Sequence, residues 1–102
     1  MMHVVICDDE PCFQEAVVNA VKKWMCTSGH YDIRCTVFSS SEDLLERWSN
    51  GLSIDLLFLD IEIPGEISGM ALAQKIRDTD HNLPIVFITN YLNYVYEGYV
   101  VN

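Results

Sequence analysis

By type and setting, Asp8, Asp9 and Asp60 are the residues of this chain best suited to do chemistry. Asp8 and Asp9 follow the apolar run Val4-Val5-Ile6-Cys7, and Asp60 follows Leu56-Leu57-Phe58-Leu59. Carboxylates brought together repel one another and raise each other's pKa, and a nearby cation relieves that repulsion. Mg²⁺ is the hard cation that takes one or two carboxylates together with waters and substrate phosphate oxygens. A third apolar run, Ile85-Val86-Phe87-Ile88, ends at Thr89-Asn90, whose Thr89 hydroxyl is able to donate to a phosphoryl oxygen. Such a set suits phosphoryl chemistry, with Asp60 as nucleophile and Asp8 and Asp9 holding the cation. Taken singly, each residue has a plainer reading. A strand-end Asp is commonly a helix cap or a solvated turn residue, and Thr89-Asn90 alone caps a following helix. The chemistry depends on whether the elements bring these residues together.

The elements alternate. Val4 to Cys7 reads as a short buried strand, and Pro11 stands where a helix would start, its missing N–H costing nothing there. Phe13, Val17, Ala20, Val21 and Trp24 then recur at helical spacing until Ser28-Gly29-His30. Ile33 to Phe38 alternates Ile33, Cys35 and Val37 with Arg34 and Thr36, as a second strand should. Ser39-x-x-Glu42 offers a capping box for a helix burying Leu44, Leu45 and Trp48, which Asn50-Gly51 breaks. The continuous apolar run Leu56 to Leu59 suits a strand covered on both faces. Ser68-Gly69 precedes a third helix with Leu72, Ala73 and Ile76 inward and Lys75 and Arg77 outward; Pro84 introduces the strand Ile85 to Ile88. Tyr91 to about Gly98 reads as a fourth, aromatic-rich helix.

A βαβαβαβα order implies right-handed crossovers and a parallel sheet with helices on both sides, an α/β fold. Ligands in such sheets bind beyond the carboxyl ends of the strands. Asp8, Asp9, Asp60 and Thr89 all fall there, and they converge if strands one, three and four are neighbours. Gly65 and Gly69 would keep the turn after Asp60 compact and flexible.

Composition bounds the rest. The 102 residues suffice for one hydrophobic core and not for two ordinary domains. Six Lys and Arg against fifteen Asp and Glu give a net charge of -9, which excludes direct nucleic-acid binding through a cationic surface. No apolar run spans a membrane, and Met1-Met2-His3 lacks a secretory signal, so a cytoplasmic home is expected. Cys7, Cys12, Cys26 and Cys35 contain no C-x-x-C and are expected to be reduced thiols. His3, His30 and His81 carry no evident role.

At this point the residues resemble a known family. ICDDEP at 6 to 11, LLFLDIEIPG at 56 to 65 and PIVFITN at 84 to 90 are similar to the receiver domain of two-component response regulators. The resemblance covers residues 1–102 and implies a flavodoxin-like, doubly wound parallel sheet of strand order 2-1-3-4. It implies that Asp60 accepts a phosphoryl group from a phosphohistidine of a sensor histidine kinase. Asp8 and Asp9 would position Mg²⁺, with the Asp60 carboxylate and the backbone carbonyl of Glu62 completing the protein ligands. Thr89 would be the switch hydroxyl, its movement biasing a two-state surface. ITNYLNYVYEGYVVN, the final stretch, further resembles receivers joined to LytTR-type DNA-binding domains, implying a transcriptional output.

Departures from the family pattern are also visible. Asn90 stands where many receivers have Ala or Ser, Glu62 is acidic at a position that influences dephosphorylation, and the turn 64–69 is one residue longer than in many receivers. Receivers close with a fifth strand, a Lys that pairs with the phosphoryl group, and a fifth helix, all beyond Asn102. The chain is therefore expected to be an incomplete receiver with an open edge at strand four. It is expected to bind Mg²⁺ weakly, to be phosphorylated poorly, and to shield that edge by forming a homodimer or exchanging elements. Two other readings compete: a pseudo-receiver that binds partners without phosphorylation, and a haloacid-dehalogenase-like phosphatase. The latter usually needs Asp-x-Asp after its first strand, where this chain has Asp8-Asp9.

Overall fold

The computed structural model describes residues 1–29 and 32–88. Strands and helices alternate as β1 (Met2–Cys7), α1 (Pro11–Ser28), β2 (Ile33–Phe38), α2 (Ser41–Ser49), β3 (Leu56–Asp60), α3 (Gly69–Thr79) and β4 (Ile85–Ile88). The strands form one sheet of order β2-β1-β3-β4, parallel throughout. This is the expected α/β architecture, with β1, β3 and β4 adjacent. Thr89 and the helix expected over residues 91–98 lie outside the described residues. Among the described residues no helix is long and apolar enough to cross a membrane.

The period-2 alternation of the strands divides the apolar residues between two faces. On one face Val5, Cys7, Leu57, Leu59 and Ile85 pack with Leu44 of α2 and Leu72 and Ile76 of α3. Leu44, Leu57, Leu59, Leu72 and Ile76 are wholly buried there, and Leu45 and Trp48 are partly buried against the same cluster. The other face lies under α1 and is more loosely covered. Helix α1 forms where its apolar stripe predicts, yet none of its residues is buried, and Trp24 is 47% exposed. Between α1 and the sheet is an apolar cavity of about 460 Å³ lined by Val17, Val21 and Trp24 on the helix and Val4, Leu56 and Phe58 on the strands. The strand β3 is accordingly covered unequally, with Leu57 and Leu59 buried and Leu56 and Phe58 half-buried.

Several ends are set as the sequence predicts. Pro11 opens α1, and Gly29, at φ 77°, closes it with its N–H on the Met25 carbonyl. Ser68 caps α3 by accepting from the Ala71 N–H. The start of α2 differs from expectation. The cap is Ser40, whose hydroxyl accepts from the Asp43 N–H at 3.1 Å, so the box is not Ser39 with Glu42. Ser39 instead accepts from Gln14 Nε2 at 3.2 Å, and the Glu42 side chain turns away from the helix end.

Two further side chains depart from the sequence reading. Arg77 is not simply outward, since its guanidinium donates to the Leu83 carbonyl at 2.6 Å. His3, given no role from sequence, is buried on β1. Its Nδ1 lies 2.8 Å from the Ser53 carbonyl and its Nε2 2.7 Å from Thr36 Oγ1. A carbonyl only accepts, so Nδ1 carries the proton of that bond.

Candidate functional site

The parallel register sets Cys7 opposite Leu59 and Asp60 opposite Ile88, so the carboxyl ends of the three central strands finish together. Asp8 and Asp9 leave β1 at this edge, while Asp60 is the last residue of β3. One carboxylate oxygen from each of Asp8, Asp9 and Asp60 lies within 4.8 Å of the others. The structure thus brings together three of the residues singled out from sequence. Thr89 lies just past the described end of β4.

Asp8 and Asp60 are held by backbone. Asp8, only 2% exposed, donates its N–H to the Phe38 carbonyl at 3.0 Å and accepts from the Glu10 N–H through Oδ1 at 2.9 Å. Gln14 Nε2 donates to both the Asp8 carbonyl and Ser39 Oγ, tying the loop after β1 to the loop after β2. Asp60 Oδ1 accepts from the Glu62 N–H at 3.0 Å, and the Ile61 N–H donates to the Ile88 carbonyl at 3.2 Å. The loop 61–68 is anchored by burial of Ile61 and Ile63. Gly69 packs against the Asp60 carbonyl, and Gly65 takes φ +132°, a backbone conformation that residues bearing a side chain rarely adopt. Gly69 supplies the close approach and Gly65 the left-handed turn that keep this loop compact.

The electrostatics follow from this crowding. Burial pushes the Asp60 carboxyl up to about 6, the Glu62 N–H opposes the shift, and the charges of Asp8, Asp9 and Glu62 add to it. Burial also raises Asp8, with Asp9 and Glu10 contributing in the same direction. Cys7, directly beneath, is pushed up to about 12 by burial and by the charges of Asp8, Asp60 and Glu42. Its thiol is therefore protonated and no nucleophile. Among the described cysteines all four are free, with Cys12 and Cys26 exposed and Cys35 half-buried.

An all-oxygen set of converging acids, with burial raising the Asp8 and Asp60 carboxyls and neighbouring charges adding to it, fits a hard divalent cation that would offset both effects. Two contributors were not foreseen. Gln14 sits on an otherwise apolar helical stripe, a signal that it turns toward something polar. Glu42 was masked by its resemblance to a capping residue.

A parallel α/β sheet of order β2-β1-β3-β4 with an acidic carboxyl edge defines a class of doubly wound domains, and sequence comparison specifies which member this is. Residues 4–100 match the response regulator receiver domain, and the chain belongs to that family. It is 29% identical over 101 residues to accessory gene regulator protein A of Staphylococcus aureus, covering 94% of this chain and 42% of that protein. It is 26% identical over 91 residues to the transcriptional regulatory protein ComA of Bacillus subtilis, covering 89% and 40%. The chain thus spans less than half the length of these curated relatives. Among solved structures, response regulator TrrA of Thermotoga maritima in complex with Mg²⁺-BeF superposes with a TM-score of 0.75. The two are 28% identical, over 96% of this chain and 77% of TrrA.

Proposed function

We propose that this chain is the phosphoacceptor receiver of a cytoplasmic two-component response regulator. In this reading Asp60 takes a phosphoryl group from a phosphohistidine of a sensor histidine kinase. The observation that carries it is the convergence of Asp8, Asp9 and Asp60 within 4.8 Å at the carboxyl edge of the sheet. Asp8, Asp9 and Asp60, with the backbone carbonyl of Glu62, would hold Mg²⁺. When bound, the ion supplies positive charge that neutralises the carboxylates and the phosphoryl oxygens. The complex of the related TrrA with Mg²⁺-BeF supports this assignment.

The chain's own residues do the rest. At pH 7 Asp60, with a pKa of about 6, is mostly ionised and nucleophilic. The Glu62 N–H on Oδ1 fixes the carboxylate's orientation. An Asp60 oxygen forms the new P–O bond as the P–N bond to the kinase histidine breaks, and the imidazole nitrogen keeps the electron pair and takes up a proton. Thr89 then donates its hydroxyl to the phosphoryl group, and the resulting movement biases the surface that controls a transcriptional output, a LytTR-type domain by the resemblance of the final stretch.

Acetyl phosphate carrying a labelled phosphoryl group, given with Mg²⁺, tests this. Base-labile label on the wild type, absent from Asp60→Asn and strongly reduced in Asp9→Asn, is the expected result. Label that persists in Asp60→Asn would sink the assignment.

A further inference from the structure

We infer that Glu42 is a positioning residue for the Asp60 site, latching the loop between β3 and α3 from the start of α2. This rests on the reading of Asp60 as phosphoacceptor. That loop carries Glu62, whose N–H orients the Asp60 carboxylate and whose carbonyl is a proposed cation ligand. Its first half is pinned by burial of Ile61 and Ile63, and its second half is where Glu42 acts. Glu42 Oε2 accepts from the Ile67 N–H at 3.3 Å, across a sequence separation of 25 residues.

A second observation points to the same seat. A Cβ on Gly65 would lie 2.6 Å from Glu42 Oε1 and 3.1 Å from Oε2, so the end of the Glu42 side chain rests directly over Gly65. The left-handed φ of +132° at Gly65 gives the loop its turn at that point. Glu42 is available because the cap of α2 is made by Ser40 and Asp43. Glu42 stands in the first turn of α2, where an acidic residue is favoured, and its side chain turns from the helix end to the loop. Through Ile67 and Gly65 the carboxylate sets the path of the loop, and so the placement of the Glu62 backbone on Asp60. Partners in this outer position typically govern metal affinity without touching the ion.

The test uses Glu42→Ala and Glu42→Gln, with Asp60→Asn as control. Mg²⁺ is titrated alone and then with beryllofluoride, followed through the Glu62 and Ile67 amide signals by NMR. Glutamine keeps a carbonyl oxygen for the Ile67 N–H and removes the charge. Glu42→Ala is expected to weaken Mg²⁺ binding about tenfold and to speed exchange of the Ile67 amide. Glu42→Gln should stay within about twofold of wild type, because the hydrogen bond survives. Urea midpoints without Mg²⁺ confirm that every variant is folded during the titration. Wild-type affinity in Glu42→Ala overturns the latch while leaving the Asp60 reading intact. Equal losses in both variants also overturn it, since they make charge rather than the bond responsible. A wild type with no Asp60-dependent response to Mg²⁺ and beryllofluoride overturns the phosphoacceptor reading and the latch with it.

Discussion

Gly69 lies directly against the backbone carbonyl of Asp60, so closely that a Cβ on it would sit 2.0 Å from that oxygen. Helix propensity alone would make Gly69→Ala stabilising by up to about 1 kcal/mol, since Gly69 begins α3. The contact reverses the sign, because the atom in the way is main chain and cannot rotate aside. Gly69→Ala is expected to destabilise by about 1–3 kcal/mol, as overpacking does. It should also displace Asp60, so that urea denaturation and Mg²⁺ titration both register the change. An unchanged or raised urea midpoint would contradict the contact.

Asp60 carries a pH signature. Its folded pKa of about 6 lies above the ordinary 3.8, so the folded protein retains a proton that the unfolded chain has released. Stability therefore falls as pH rises from about 4 to about 6, and the penalty is fully present above that. Unscreened, the shift is worth about 3 kcal/mol. Asp60 is partly exposed, and solvent screening reduces the expectation to about 1 kcal/mol. Asp60→Asn should thus be more stable than wild type by about 1 kcal/mol at pH 7, with the gap closing near pH 4. Urea midpoints across that range measure it. Added Mg²⁺ should stabilise wild type at pH 7, more weakly below pH 6 where protons compete, and not stabilise Asp60→Asn.

The cap of α2 makes a smaller prediction. Ser40→Ala removes the hydroxyl that accepts from the Asp43 N–H and should cost about 1 kcal/mol. Ser39→Ala loses only an exposed bond from Gln14 and should cost about 0.5 kcal/mol or less. The reverse ranking in chemical denaturation would restore Ser39 as the cap.

His3 separates stability from function. Its ring bridges the Ser53 carbonyl and Thr36 Oγ1 at the amino end of the sheet, away from the acidic edge. His3→Ala leaves both groups without this partner and is expected to cost about 2 kcal/mol. Mg²⁺ affinity should not change. A large loss of affinity at unchanged stability would show coupling along β1 that the geometry does not provide.

The alternation of apolar strands and amphipathic helices, the parallel sheet, and the three acids at its carboxyl edge were legible in the sequence. Apolar periodicity reports which face of an element is buried, and a charge after a buried run reports where a strand leaves the core. The order β2-β1-β3-β4 came instead from the family resemblance. Less was legible for α1, because its stripe states what a helix can bury and not how much covers it. Trp24 and Val21 border a cavity instead of a closed core.

By itself, the chain's sequence determined that Asp8, Asp9 and Asp60 fall at one edge of the sheet, since residues at strand ends are lifted out of the sheet's apolar interior. The tertiary structure alone decided what Glu42 and Gly69 do. A capping box is a local pattern that Ser39-x-x-Glu42 matches and Ser40-x-x-Asp43 does not, yet Ser40 makes the cap and the Glu42 carboxylate accepts from the Ile67 N–H of a distant loop. Gly69 likewise reads as a permissive turn residue until Asp60 is folded against it. Both roles belong to contacts between segments far apart or differently oriented in the chain, which no local pattern of residues records.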